Sequence, residues 1–221
     1  MMFIAAYRIA WKDMMGDFRR RATLSSMLFF AVAVLVIFQA AFDPDRAEAR
    51  RLLPGLLWVT ILFTSLVGLG RVFQAEEEDG AFEGLLLAPA PRGVIFLGKW
   101  LGNLVLTLIV EAGLLPLAFI LFNVEAWDAF FPLLGILVLG TLGLTALGVL
   151  LAVMTQAARS RETLLALLLL PLVAPLLIAG VQAASALLQG GEIGDWLRLM
   201  VIFDIVYLAL APWAFGWLVE E

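Results

Sequence analysis

The chain has 221 residues, of which 63% are hydrophobic and only 15% are charged, and its formal net charge is −5. A soluble domain is nearer half apolar and a quarter charged, so this composition leaves too little polar surface for a water-soluble globule. The chain has no cysteine and no histidine, which excludes disulfides, zinc sites, thiol nucleophiles and histidine-based acid–base chemistry. We therefore expect an all-α polytopic membrane protein, because the apolar runs are long and continuous rather than alternating as in barrel strands.

Residues 1–22 have the pattern of an amphipathic helix. Read at 100° per residue, the large apolar side chains fall within about 120° of arc and the charged ones on the rest. The apolar set is Phe3, Ile4, Tyr7, Trp11, Met14, Met15 and Phe18. Such a helix is typical of the headgroup plane of a bilayer. The alternative, which is compatible with the first, is a helix packed on the protein's own cytoplasmic flank.

Six later segments reach the roughly 20 apolar residues that cross a bilayer. They are predicted near 24–42, 52–70, within 94–122, 129–154, 164–181 and 200–219. Residues 23–221 thus form one six-helix membrane domain. In the fifth span, Pro171 and Pro175 predict a kink followed by a short separate helix on the outer side near 182–188. The alternative there is one long tilted helix.

The distribution of Lys and Arg predicts the orientation. With the amino terminus inside, the inner segments hold ten of these residues and the outer segments four. The inner ones are Arg8, Lys12, Arg19, Arg20, Arg21, Arg71, Arg92, Lys99, Arg159 and Arg161. Both termini and the loop between the second and third spans are therefore expected in the cytoplasm.

That loop, residues 71–93, is densely acidic in an otherwise apolar chain. Its acids are Glu76, Glu77, Glu78, Asp79 and Glu83. On a helix, Glu76, Asp79 and Glu83 share one face. Gly80 weakens a continuous helix and Pro89 ends it, so we expect a short element. The alternative from the residues alone is a solvated loop that keeps its charges in water.

The stretch RVFQAEEEDGAFEGLLLAPAPRGVIFLGK, residues 71–99, resembles the membrane subunit of the cytochrome c maturation ABC transporter, the CcmB family. The resemblance is strongest in EDGAFEGLLLAP and the following LGK, and extends to the six-span pattern and to WKD before an arginine cluster. More distantly the chain resembles ABC-2 permeases, whose acidic segment after the second span is a coupling helix on the ATPase subunit. Carried onto this chain, the resemblance assigns ATPase coupling to Glu76, Glu77, Glu78, Asp79, Gly80 and Glu83.

This resemblance implies a transporter subunit of the inner membrane and not an enzyme. The implied partners are an ABC ATPase subunit that holds ATP, a haem-handling membrane protein that holds haem, and a second copy of the chain. No cofactor of its own and no nucleic-acid partner are expected. The alternatives are an ABC-2 exporter of lipid, drug or polysaccharide, and a mechanical assembly factor that moves no substrate itself.

Polar residues also occur inside the predicted spans. Lys99, Asn103, Thr107 and Glu111 recur every fourth residue and form one stripe on the third span. An ionisable group within a span is a functional candidate by default, and the alternative is a carboxyl paired for packing. Asp204 is expected at the outer interface. GVIFLGKW, residues 93–100, resembles a P-loop but has Trp100 where Ser or Thr would reach magnesium.

Most of the tryptophans fall near predicted span ends, as residues of an interfacial aromatic belt do. They are Trp58, Trp100, Trp127, Trp196, Trp213 and Trp217. The fourth span is rich in glycine and threonine, and small residues of this kind let helices approach closely within lipid.

Overall fold

The computed structural model describes residues 2–20, 22–73, 91–156 and 158–218. Within these ranges it contains seven α-helices and no β-strand. They are α1 (Met2–Arg20), α2 (Ala22–Phe42), α3 (Arg46–Leu69), α4 (Arg92–Leu121), α5 (Phe130–Thr155, preceded by the 3₁₀ turn Trp127–Ala129), α6 (Arg161–Gln189) and α7 (Gly194–Leu218). Helices α2 to α7 are each long and apolar enough to cross a membrane, which confirms the predicted all-α six-span fold.

Two spans begin earlier than their apolar runs predicted. Helix α3 begins at Arg46 because the Asp45 carboxylate accepts the backbone N–H groups of Ala47 and Glu48, at 2.8 and 2.9 Å. This is an N-cap, which satisfies amide groups that a helix start leaves without partners. Helix α7 likewise begins at Gly194 rather than near residue 200. Both helices therefore include residues before the apolar segments 52–70 and 200–219 that hydropathy identifies.

The prediction of a separate helix at 182–188 was wrong, because α6 is one continuous helix from Arg161 to Gln189. Pro171 and Pro175 are both exposed on the side of α6 that faces away from the bundle, so their rings displace no packed neighbour. The buried side of α6 keeps helical spacing along its whole length, in Leu165, Leu169, Val173, Leu176, Ala179, Gly180, Ala183, Ala184 and Leu188. Continuous burial on that side holds the helix together past the prolines.

Helix α5 is the centre of the bundle and packs against α3, α4, α6 and α7. In its most apolar window 78% of residues are buried, against 17% in α2, which lies at the periphery. Lipid tails are as apolar as leucine, so helices in a bilayer associate through close packing rather than a hydrophobic drive. The buried glycines of α5 supply that closeness: Gly140, Gly143 and Gly148.

Trp58 shows how tight this packing is. The sequence placed it in the interfacial belt, but it is 1% exposed and lies midway along α3. Its ring fills the space left by two glycines, so that a Cβ atom on Gly140 or Gly180 would overlap the indole. Trp100 is not a belt residue either, because its indole N–H donates to Thr145 of α5 at 3.1 Å. Trp127, Trp213 and Trp217 are exposed, as belt residues are.

Helix α1 lies along α4, so the packed alternative for the amphipathic helix is confirmed. The side that packs is not the aromatic one, however. Ala6 and Ala10 are buried against α4, whereas Tyr7 and Trp11 are exposed and stack at 6.0 Å between ring centroids. This aromatic pair is available to the headgroup layer, as the interfacial alternative also requires.

A substitution at Gly140 tests the packing of Trp58. We expect Gly140→Ala to lower the thermal unfolding midpoint of the detergent-purified protein, because overpacking a tight core costs about 1–3 kcal/mol. Trp58→Phe in the Gly140→Ala background should recover part of that loss by removing ring atoms. Gly135→Ala is the matched control, since Gly135 lies on the same helix with nothing within 4 Å of its added Cβ. Equal midpoints for both alanine variants would contradict this packing.

Candidate functional site

The acidic residues assigned to ATPase coupling lie outside the described residues, so their role stays a prediction. They are Glu76, Glu77, Glu78, Asp79, Gly80 and Glu83. The structure does describe the two ends of this loop. Helix α3 ends at Leu69 and a turn continues to Phe73, and α4 begins at Arg92 after Pro91. The described part of the candidate site therefore consists of these two ends of the loop and the polar stripe along α4.

Lys99 is the most constrained group at this end of the bundle. Its side chain is 2% exposed, although the sequence counted it among the inner positive charges as well as in the polar stripe. The Nζ atom lies 3.0 Å from Oδ2 of Asp13 in α1, and donates to the carbonyl oxygen of Val72 at 3.1 Å. It also lies 5.4 Å from the centroid of the Phe73 ring, within the range of a cation–π contact. One ammonium thus joins α1, the end of α3 and the start of α4.

The glycines beside Lys99 explain why α1 can come so close. A Cβ atom on Gly98 would lie 2.6 Å from Cβ of Ile9 and 3.0 Å from the carbonyl oxygen of Ala6. One turn later, a Cβ atom on Gly102 would lie 3.7 Å from the carbonyl oxygen of Ala10. Gly98 and Gly102 therefore form a small-residue pair at the spacing that permits helix contact in membranes. This four-residue spacing of glycines was the signal in the sequence that could have identified α4 as the helix against which α1 packs.

Farther along the stripe, Asn103 and Thr107 are both buried. A Cβ atom on Gly68 of α3 would lie 3.2 Å from Nδ2 of Asn103, so the amide packs directly against that helix. The Oδ1 atom of Asn103 has no hydrogen-bond partner among the described residues. The Thr107 hydroxyl donates to the carbonyl of Asn103 within its own helix, at 3.0 Å. The stripe is therefore a row of buried polar groups, not a continuous hydrogen-bonded chain of side chains.

Glu111, at the far end of the stripe, is 1% exposed and lies against α5. Its Oε1 atom accepts a hydrogen bond from the hydroxyl of Thr141, and in the described part of the chain Oε2 has no partner. This contact ties α4 to α5 and supports the packing interpretation. The Oε2 atom is still able to accept a hydrogen bond inside the bundle, and the contact between α4 and α5 does not involve it. A functional role for Glu111 stays a prediction.

The prediction for Asp204 was wrong. It is 5% exposed and lies in the middle of α7, where its carboxylate packs against Gly143 of α5. Any side chain at Gly143 would overlap it, so the missing Cβ atom makes room for the acid. Neither carboxylate oxygen finds a hydrogen-bond partner within the described ranges. Glu111 and Asp204 thus approach α5 from opposite sides, at Thr141 and Gly143.

Over the described ranges, no three His, Cys, Asp or Glu side chains come together to hold a metal ion. The described residues do form buried polar contacts between helices, both where α1, α3 and α4 meet and between α4 and α5. Such contacts fix relative positions in a bilayer and are suited to passing a displacement from one helix to another.

Comparison with known proteins identifies the family of the chain. A family model described as CcmB protein matches residues 4–220. Heme exporter protein B of Pseudomonas aeruginosa is 34% identical over 197 residues, covering 89% of this chain and 88% of that protein. The proteins of the same name from Paracoccus denitrificans and Haemophilus influenzae are 33% and 29% identical, over 86% and 89% of this chain and 86% and 88% of their own lengths. The chain belongs to the CcmB family.

Proposed function

We propose that this chain is the membrane subunit of an ABC transporter complex that acts in cytochrome c maturation, in the export of haem or its delivery to a periplasmic haem chaperone. The observation that carries the proposal is the family match over residues 4–220, together with relatives named Heme exporter protein B along nearly their whole length. The six apolar helices supply the membrane domain that such a subunit needs. In this role the chain transmits the work of ATP hydrolysis and performs no hydrolysis itself.

The ATP site is proposed to lie on a partner subunit. The P-loop-like stretch 93–100 is part of α4 from its first residue, with Phe96 and Lys99 buried, and so belongs to a membrane span. A phosphate-binding P-loop instead connects a strand to a helix. We propose one ATPase subunit for each copy of the chain, and two copies in the complex, because six spans make half a transporter in the related class.

We propose that both termini face the cytoplasm of an inner membrane, as the Lys and Arg distribution indicates. Single cysteines report this directly because the chain has none of its own. Ser160→Cys should resist a membrane-impermeant thiol reagent in spheroplasts, and Ala47→Cys and Glu192→Cys should react. All three positions are exposed in the structure, so burial does not explain protection. Labelling of Ser160→Cys alone would require the opposite orientation.

The acidic segment is proposed to contact the ATPase subunit. Reversing the charge at Glu77, Glu78 and Asp79 to Lys should reduce the ATPase subunit that co-purifies, because like charges placed at an interface cost several kcal/mol. Changing the same three residues to Gln is the matched control, which removes attraction without adding repulsion and should have the smaller effect. If the Lys and Gln variants both assemble, and the ATPase subunit hydrolyses ATP with them as it does with the unchanged chain, the segment is a solvated loop.

Haem is proposed to be ligated by a partner, with this chain supplying coupling and a protein–protein surface. Haem iron in proteins is usually held by His, Cys, Met or Tyr, and the chain lacks the first two. Met27 and Met200 are fully buried and packed against Gly68 and Gly140, so they are engaged in helix contacts. Met154 is exposed near the inner end of α5. A transient apolar passage for the porphyrin remains compatible with this arrangement.

The purified chain, freed of partners, should therefore contain no stoichiometric haem and show no low-spin Soret and α/β absorption bands after reconstitution with haem. The positive control is the same preparation made with its haem-handling partner, which should show those bands. A one-to-one haem complex of the isolated chain, abolished by Tyr207→Phe or by changing one methionine to Leu, would contradict the proposal. That result would favour direct haem ligation during export over mechanical assembly.

A further inference from the structure

The contacts of Lys99 connect three segments that are far apart in the sequence. Its ammonium lies 3.0 Å from the Asp13 carboxylate of α1 and 3.1 Å from the Val72 carbonyl at the end of α3, while its own backbone belongs to α4. Val72 and Phe73 lie at the start of the acidic loop, residues 71–93, and α4 begins at its end, at Arg92. Both ends of the loop are therefore fastened to α1 by the same side chain.

A buried ion pair is an inefficient way to stabilise a fold. Removing both charges from water costs about as much as their attraction returns, so apolar side chains of similar volume stabilise a core at least as well. What a buried pair supplies is a defined geometry. Here the Asp13 side chain is 18% exposed and the Lys99 side chain 2% exposed. The Lys99 ammonium therefore lies inside the bundle, where it contacts Asp13 of α1 and the Val72 carbonyl after α3. Packing through Gly98 and Gly102 brings α1 close to α4, and the charge pair adds a directional contact between the two helices.

We infer that Lys99 is a positioning residue that fastens α1 to the two helices that carry the acidic loop, so that a displacement of this loop moves α1 along the membrane surface. The inference rests on the proposed function, in which an ATPase subunit acts on the loop. Tyr7 and Trp11, exposed on the opposite side of α1, then carry the displacement to the headgroup layer or to a neighbouring subunit. Lys99 acts through its neighbours and touches no substrate in this scheme.

The first test measures the docking of α1 and needs no ATPase subunit. Ala10→Cys places a thiol at a position that is 5% exposed and faces Gly102. Adding Lys99→Met should raise its labelling rate by a water-soluble maleimide in isolated membranes about tenfold, equivalent to about 1.4 kcal/mol in the docking equilibrium. Lys12→Met is the matched control, because Lys12 lies 3.6 Å from the same Asp13 carboxylate but is 63% exposed. An exposed pair contributes little, so labelling should stay near that of the unchanged background.

The second test measures coupling in the assembled complex. Lys99→Met should leave the amount of co-purified ATPase subunit unchanged, whereas the rate of ATP hydrolysis should become that of the ATPase subunit alone. A residue that only stabilised the fold would lower both quantities together. Lys12→Met should retain assembly and the normal rate.

The third test restores the link by another chemistry. A Cβ atom on Gly102 would lie 3.7 Å from Cβ of Asp13, close to the mean of about 3.8 Å in disulfides. The variant Lys99→Met/Asp13→Cys/Gly102→Cys should regain coupled ATP hydrolysis when oxidised in membranes, and lose it on reduction. Gly102→Cys alone shows whether the thiol itself disturbs packing.

These outcomes separate the inference from the function on which it rests. If the unchanged chain binds no ATPase subunit, the proposed function fails. If it binds, and the complex with Lys99→Met hydrolyses ATP at the normal rate while Ala10→Cys is labelled at its normal rate, only the inference fails. An oxidised triple variant that stays uncoupled, while Gly102→Cys alone is normal, would overturn the link between α1 and α4 as the coupling contact, because the disulfide restores that link and not the one to Val72.

Discussion

Close approach of helices is the constraint on which this structure depends. Inside a bilayer the helices gain nothing by hiding apolar surface from one another, so contact area and short distances must hold the bundle together. Helix α5 meets this need with glycines that face bulky neighbours: Gly140 faces Trp58, Gly143 faces Asp204 and Gly148 faces Leu69. Each missing Cβ atom leaves room for a side chain from a surrounding helix. Helix α5 can therefore contact four other helices closely and lie at the centre of the bundle.

The buried polar groups depend on the same closeness. Glu111 reaches Thr141, and Trp100 reaches Thr145, only because α4 lies directly against α5. In hydrocarbon a polar group without a partner is costly, so these contacts fix how the helices are rotated about their axes. Asp204 and the second oxygen of Glu111 keep unmatched acceptors within the described part of the bundle.

On the side that the charge distribution assigns to the cytoplasm, the organisation changes from packing to electrostatics. The Lys99 ammonium contacts the Asp13 carboxylate of α1 and the Val72 carbonyl oxygen in the turn that follows α3. The glycine pair Gly98 and Gly102 allows α1 to pack closely against α4, and the ion pair between Asp13 and Lys99 adds a directional contact. Helix α1 is therefore both a surface helix, through Tyr7 and Trp11, and a part of the bundle, through Ala6 and Ala10.

The sequence by itself determined the membrane class, the number of spans and the helical architecture, because hydropathy summed along a segment is a local property. It also predicted α1 and the polar stripe on α4 from their spacing. Only the tertiary structure decided which side of α1 packs, that Lys99, Trp58 and Asp204 are buried, and that α6 continues past its prolines. Lipid and protein interior are both apolar, so polarity along a span does not distinguish the two surroundings. That distinction depends on the small residues of a neighbouring helix, which are distant in sequence and become partners only when the bundle forms.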